Sequence, residues 1–70
     1  MKLSETQKKI IKMIGIGYTN EQISKALGLS KNTVITYIYT LSNVYNAQNR
    51  IELFNKLKEV IQWNNFYLSM

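Results

Sequence analysis

The side chains that carry out acid–base and covalent chemistry are scarce in this sequence. Its 70 residues include no histidine, no cysteine and no aspartate, and its four acidic residues are glutamates spread along the chain. A paired-carboxylate catalytic site is therefore not expected. Without cysteine there is no thiolate nucleophile, and without cysteine and histidine a structural zinc site has no usable ligands. We expect a protein that is not an enzyme and that requires no metal or other cofactor.

Charge and size favour a small binding module instead. Lys and Arg number nine, which leaves a net charge of +5 at pH 7, and this excess favours a polyanionic partner. A chain of this length is expected to form one domain over residues 1–70. No apolar stretch approaches the roughly 20 residues of a membrane span, and the N-terminus lacks the apolar core of a signal peptide. We therefore expect no membrane partner and a cytoplasmic location.

Four helices are predicted to position the polar residues. The sequence contains no proline, and its apolar residues recur at helical spacing. Ser4 with Gln7 and Thr19 with Gln22 have the spacing of capping boxes. Gly15 and Gly17 are predicted to end the first helix and Gly28 the second. The predicted helices span residues 4–15, 20–27, 31–45 and 50–63, and an apolar tail follows at 64–70.

Each predicted helix has an apolar side. In the second helix it comprises Ile23, Ala26 and Leu27. In the third helix the predicted buried residues are Val34, Ile38, Leu41 and Tyr45. In the fourth helix the stripe comprises Ile51, Phe54, Leu57, Val60 and Ile61, with Leu53 as an additional apolar position. These patterns predict an all-α fold with one core.

The short connection Gly28-Leu29-Ser30 between the second and third helices is typical of a helix-turn-helix. In that motif the second helix, the recognition helix, enters the DNA major groove. The pattern alone has low specificity, because many helical hairpins share it.

A longer series of blocks resembles the LuxR/GerE-type DNA-binding domain of bacterial transcription regulators. The blocks are Leu3-Ser4, Ile10-Ile11, the run from Gly17 to Leu27, the run from Leu29 to Val34, and Asn49-Arg50-Ile51-Glu52. They cover about residues 3 to 61. The resemblance implies a four-helix bundle with a central helix-turn-helix, double-stranded DNA as the partner, and a homodimer formed through the fourth helix.

The resemblance also implies which side chains contact DNA. Base contacts are implied for Ile35, Thr36 and Tyr39. Phosphate or backbone contacts are implied for the starts of the second and third helices and their surroundings, namely Thr19, Asn20, Lys25, Ser30, Lys31, Asn32 and Thr33. Arg50 occupies a position that implies a structural hydrogen-bonding role.

The recognition helix departs from the family pattern in its charge. Ile35 stands where lysine is frequent, Tyr37 where histidine is usual, and Asn43 where a basic residue is common. A bidentate Arg or Lys contact to guanine is then not available from this face. Asn32 or Asn43 is suited to adenine, and Ile35 or the Thr36 methyl to thymine. We expect A/T-rich half-sites and a shallow salt dependence of binding.

The bulky apolar residues near the C-terminus predict a dimer interface. The predicted interface residues are Phe54, Leu57, Ile61, Trp63, Phe66 and Tyr67. The weakly basic recognition face also leaves a second hypothesis open. In that alternative the fold binds another regulator or RNA polymerase and does not itself bind DNA.

Overall fold

The helices of the computed structural model begin at polar side chains that bond free backbone N–H groups. The structure describes residues 3–61, in which the helices are α1 (Glu5–Ile16), α2 (Asn20–Leu27), α3 (Lys31–Val44) and α4 (Arg50–Leu57). Both predicted capping boxes are present, Ser4 with Gln7 and Thr19 with Gln22. Ser30 caps α3, and Asn49 caps α4. The described part of the chain contains no strand, so the predicted all-α class is confirmed.

Two of the helices end in a left-handed residue and a third is followed by one, which turns the chain so that the last carbonyl groups are bonded. Gly17 (φ 104°) ends α1 and Gly28 (φ 67°) ends α2, as expected of glycine in this conformation. Asn46 (φ 55°) takes the same conformation after α3. There the N–H of Ala47 donates to the carbonyl of Ser42 at 2.8 Å. Asparagine tolerates this geometry better than other non-glycine residues do.

The core is formed by apolar side chains from all four helices and from the segments that flank them. The most extensive helix contacts pair α1 with α4 and α2 with α3. The buried residues are Leu3, Ile10, Ile11, Ile14, Ile23, Val34, Leu41, Leu53, Leu57 and Ile61. The arrangement is a four-helix fold with a central helix-turn-helix, as predicted.

Two predictions for α1 and α2 were wrong. Gly15 lies within α1, which continues to Ile16 before Gly17 ends it. Ala26 is exposed, and the buried residue on that side of α2 is Ser24. The Ser24 hydroxyl donates to the carbonyl of Glu21 at 2.7 Å, and this bond allows a polar side chain to be buried there.

The predicted apolar side of α4 was also partly wrong. Ile51 and Val60 are 70% and 59% exposed, whereas Leu53 is completely buried. The helix ends at Leu57, and a turn over residues 58–61 brings Ile61 into the core. The predicted end at residue 63 and the apolar tail at 64–70 lie outside the described residues. Among the described helices, none has the length and apolar character required to cross a membrane.

Candidate nucleic-acid interface

One side of α3 is exposed along the length of the helix. Ile35 and Tyr39 are 43% and 59% exposed. The residues predicted to share this side, Asn32, Thr36 and Asn43, are exposed as well. From Asn32 to Asn43 the helix rises about 16 Å, roughly the height of five stacked base pairs. The face is long enough to follow a major groove, and its side chains are not part of the protein's buried core.

The starts of α2 and α3 lie around one cleft. Thr19 and Asn20 from α2 line it together with Lys31 from α3, and Arg50 at the start of α4 also contributes. Sequence reasoning placed the first three of these residues among the DNA contacts but did not group them. Their proximity follows from the packing of α2 on α3 and matters because helix starts favour anions.

Arg50 holds this cleft together through two hydrogen bonds. One guanidinium nitrogen donates to Asn20 Oδ1 at 2.7 Å, and the other donates to the carbonyl oxygen of Tyr18 at 2.9 Å. These bonds confirm the predicted structural role of Arg50. They also mean that the Asn20 side-chain oxygen is already engaged, so its amide N–H groups are the part of Asn20 suited to a phosphate.

A second cleft of about 440 Å³ lies between the start of α1 and the side of α3. Gln7 lines it from α1, opposite Asn32, Thr36 and Thr40 of α3. Gln7 Oε1 accepts from the Ser4 N–H at 2.8 Å, which holds the side chain in place. Sequence reasoning assigned Gln7 only a capping role, because no local pattern indicates that α1 starts beside α3.

Several predicted contact residues use their hydroxyl groups within the protein. Ser30 Oγ accepts from the Thr33 N–H at 3.0 Å and lies 2.8 Å from Thr33 Oγ1. The Thr36 hydroxyl donates to the carbonyl of Asn32 at 2.9 Å. These groups stabilise the first turns of α3, and their remaining capacity for DNA is correspondingly reduced.

The positive charge of the interface is concentrated near the start of α3. Lys31 is exposed there and lines the cleft at the α2 start. Lys25 is exposed on α2, with its Nζ 3.5 Å from Glu21 Oε1. An exposed pair of this kind is weak, so Lys25 remains able to contact a phosphate. Over the described residues, the middle of the α3 face carries no basic side chain.

The predicted dimer residues do not form one exposed surface. Leu57 and Ile61 are 1% and 5% exposed and belong to the core of the single chain. Phe54 is half-buried and packs against that core. Trp63, Phe66 and Tyr67 lie outside the described residues. The large apolar side chain that α4 exposes most is Ile51.

The fold and this face define a helix-turn-helix domain of the DNA-binding class. The model of the GerE family, described as bacterial regulatory proteins of the luxR family, matches residues 1–57. The chain therefore belongs to this family of DNA-binding transcription regulators, as its sequence resemblance implied. No curated protein and no solved structure matches the chain.

Proposed function

We propose that this protein is a transcription regulator that binds double-stranded DNA sequence-specifically, with α3 in the major groove. The observation that carries the proposal is the exposed α3 face beside the cleft at the starts of α2 and α3. In this arrangement Thr19, Asn20 and Lys31 contact phosphates and set the position of the helix. Ile35, Thr36 and Tyr39 then contact base edges. Asn32 and Asn43, near the two ends of the face, supply amide groups of the kind that pair with adenine.

The composition of the face favours A/T-rich half-sites with few ionic contacts. Each phosphate neutralised by a basic side chain contributes about 0.9 to the slope of log affinity against log salt. Since Lys31 is the one basic residue of α3, we expect a slope shallower than that of strongly basic helix-turn-helix domains. We also propose a cytoplasmic location, because bacterial DNA lies there.

Titration of an A/T-rich duplex by fluorescence polarisation over a range of salt concentrations tests the proposal. Lys31→Ala is expected to weaken binding and to lower the slope by about one, the effect of one lost phosphate contact. Asn32→Ala is expected to weaken binding by about 1–3 kcal/mol where it contacts a base. Lys58→Ala serves as the matched control, because it removes an exposed cation at the end of α4. Equal losses for Lys31→Ala and Lys58→Ala would contradict a specific role of the α3 start.

We further propose a homodimer in which the exposed surface of α4 around Ile51 and Phe54 contacts a second copy. Ile51 supports this proposal, because it is 70% exposed and its apolar surface would be removed from water on association. A symmetric dimer is suited to half-sites about 10 base pairs apart. Footprinting on selected DNA tests this spacing, and one isolated protected half-site would argue against the dimer.

A second candidate function is a protein-binding module that contacts a related regulator or RNA polymerase. It is favoured by Ile35 and Tyr39, two large exposed side chains at the middle of a face without basic residues. The polarisation titration separates the two functions. Absence of DNA binding at low salt, together with a complex formed with purified RNA polymerase, would favour this second function.

A further inference from the structure

The middle of the α3 face presents apolar groups to a bound duplex. Ile35 and Tyr39 are four residues apart and therefore lie on the same side of the helix, and Thr36, three residues before Tyr39, also lies beside Tyr39. Both large side chains are substantially exposed, at 43% and 59%. The central contacts available to a base are consequently apolar rather than ionic.

The hydrogen bond of Thr36 determines what this residue offers to DNA. Its hydroxyl donates to the Asn32 carbonyl at 2.9 Å, and a hydroxyl has only one hydrogen. Thr36 can therefore accept a hydrogen bond from a base but cannot donate one in this conformation. Its methyl group is the part of the side chain that has no polar partner.

In the major groove thymine presents the O4 acceptor and the C5-methyl group. The O4 atom requires a donor, which neither Ile35 nor the bonded Thr36 hydroxyl supplies. The methyl group requires an apolar surface, which both side chains supply. The 5-methylcytosine base presents the same methyl group, beside an N4 donor that Thr36 is able to accept.

We infer that Ile35 and Thr36 recognise the C5-methyl group of pyrimidines. The protein then distinguishes thymine from uracil, and 5-methylcytosine from cytosine, in duplexes that are otherwise identical. Tyr39 lies one turn further along the same side and helps to exclude water from the contact. This inference depends on the proposed DNA-binding function and names the chemical group that α3 recognises.

Four synthetic duplexes test the inference: alternating poly(dA-dT), poly(dA-dU), poly(dG-dC) and poly(dG-5-methyl-dC). Affinities are measured by polarisation competition at one low salt concentration. We expect poly(dA-dT) to bind more tightly than poly(dA-dU) by about four-fold per contacted methyl group, the effect of burying one methyl-sized group. Poly(dG-5-methyl-dC) is likewise expected to bind more tightly than poly(dG-dC), because it too carries the C5-methyl group.

Substitutions at the two residues separate direct methyl contact from an effect of the methyl on duplex shape. Thr36→Ser removes the side-chain methyl but keeps the hydroxyl, whereas Thr36→Val keeps a methyl and removes the hydroxyl. The thymine-to-uracil ratio is expected to fall toward one in Ile35→Ala and Thr36→Ser and to remain well above one in Thr36→Val. Circular dichroism checks that each variant is folded.

Lys31→Ala is the matched control, since it is expected to weaken all four duplexes by a similar factor and to leave the ratios unchanged. Equal affinity of the protein for poly(dA-dT) and poly(dA-dU) would overturn the inference and leave DNA binding intact. A ratio that persists in both Ile35→Ala and Thr36→Ser would overturn it as well, because duplex shape would then be responsible. No binding to any of the four duplexes would overturn the inference and the proposed function together.

Discussion

Arg50 is a single residue that ties the start of α4 to the cleft at the starts of α2 and α3. Its two hydrogen bonds reach Asn20 and Tyr18, which are about thirty positions away in the sequence. A lysine at this position lacks the planar fork, in which two separate nitrogens donate to Asn20 and Tyr18, and does not reproduce that geometry. The geometry of the cleft therefore depends on an arginine that need not contact DNA itself.

Arg50→Lys is expected to lower the free energy of unfolding by about 1.5–3 kcal/mol, the range for hydrogen bonds to charged groups. Urea denaturation followed by circular dichroism measures this change. Lys58→Ala is the control, and its effect is expected to stay within about 0.5 kcal/mol, as for most surface substitutions. Similar stabilities of Arg50→Lys and the unaltered protein would show that the two bonds contribute little.

At the scale of elements, α1 and α4 approach closely at Gly15. A Cβ atom built at this position would lie within 3 Å of ring atoms of Phe54. The Phe54 ring is half-buried against the core and is not free to move aside without cost. Gly15 therefore allows the contact between the two helices, although it lies inside α1, where glycine is otherwise unfavourable.

Gly15→Ala is expected to lower the free energy of unfolding by about 1–2 kcal/mol, because overpacking outweighs the gain in helix propensity. In the background of Phe54→Ala the ring is absent, and the same substitution is expected to stabilise by up to about 1 kcal/mol. Denaturation of the four proteins in this double-mutant cycle measures the coupling. A stabilising Gly15→Ala in both backgrounds is the result that contradicts the close approach.

At the scale of the whole molecule, the chain uses most of the apolar residues of α4 and of the turn that follows it for its own core. Leu53, Leu57 and Ile61 are all buried. Ile51 points outward near the start of the same helix and lines an apolar groove with Phe54 and Tyr18. Association through this region is therefore compatible with an intact core in each copy.

Ile51→Glu is expected to shift the proposed dimer to a monomer in analytical ultracentrifugation, because it places a charge in the interface. Its thermal stability as a monomer should change little, since the side chain is largely exposed. Val44→Glu is the matched control, as Val44 is 49% exposed at the end of α3. An unaltered protein that sediments as a monomer at high micromolar concentration would remove the dimer from the proposed function.

Much of the fold and part of the site follow from short spacings along the chain. Each capping box joins residues three positions apart, so Ser4 with Gln7 and Thr19 with Gln22 are visible before any packing is known. The exposed side of α3 follows from helical periodicity in the same way. The family resemblance depends on blocks of this kind, and the family model agrees with it.

The sides that the helices bury and the roles of Gly15 and Gln7 could not be predicted from short spacings, because they depend on which helices pack together. Ile51 was assigned to the core by its apolar type, yet the orientation of α4 against α1 leaves it exposed and buries Leu53. Gly15 was interpreted as a helix end, although its role is to accommodate the Phe54 ring. Gln7 lies beside the α3 face because the start of α1 packs next to α3. Local capping residues determine where each helix begins, whereas the side that it buries depends on partners distant in the sequence.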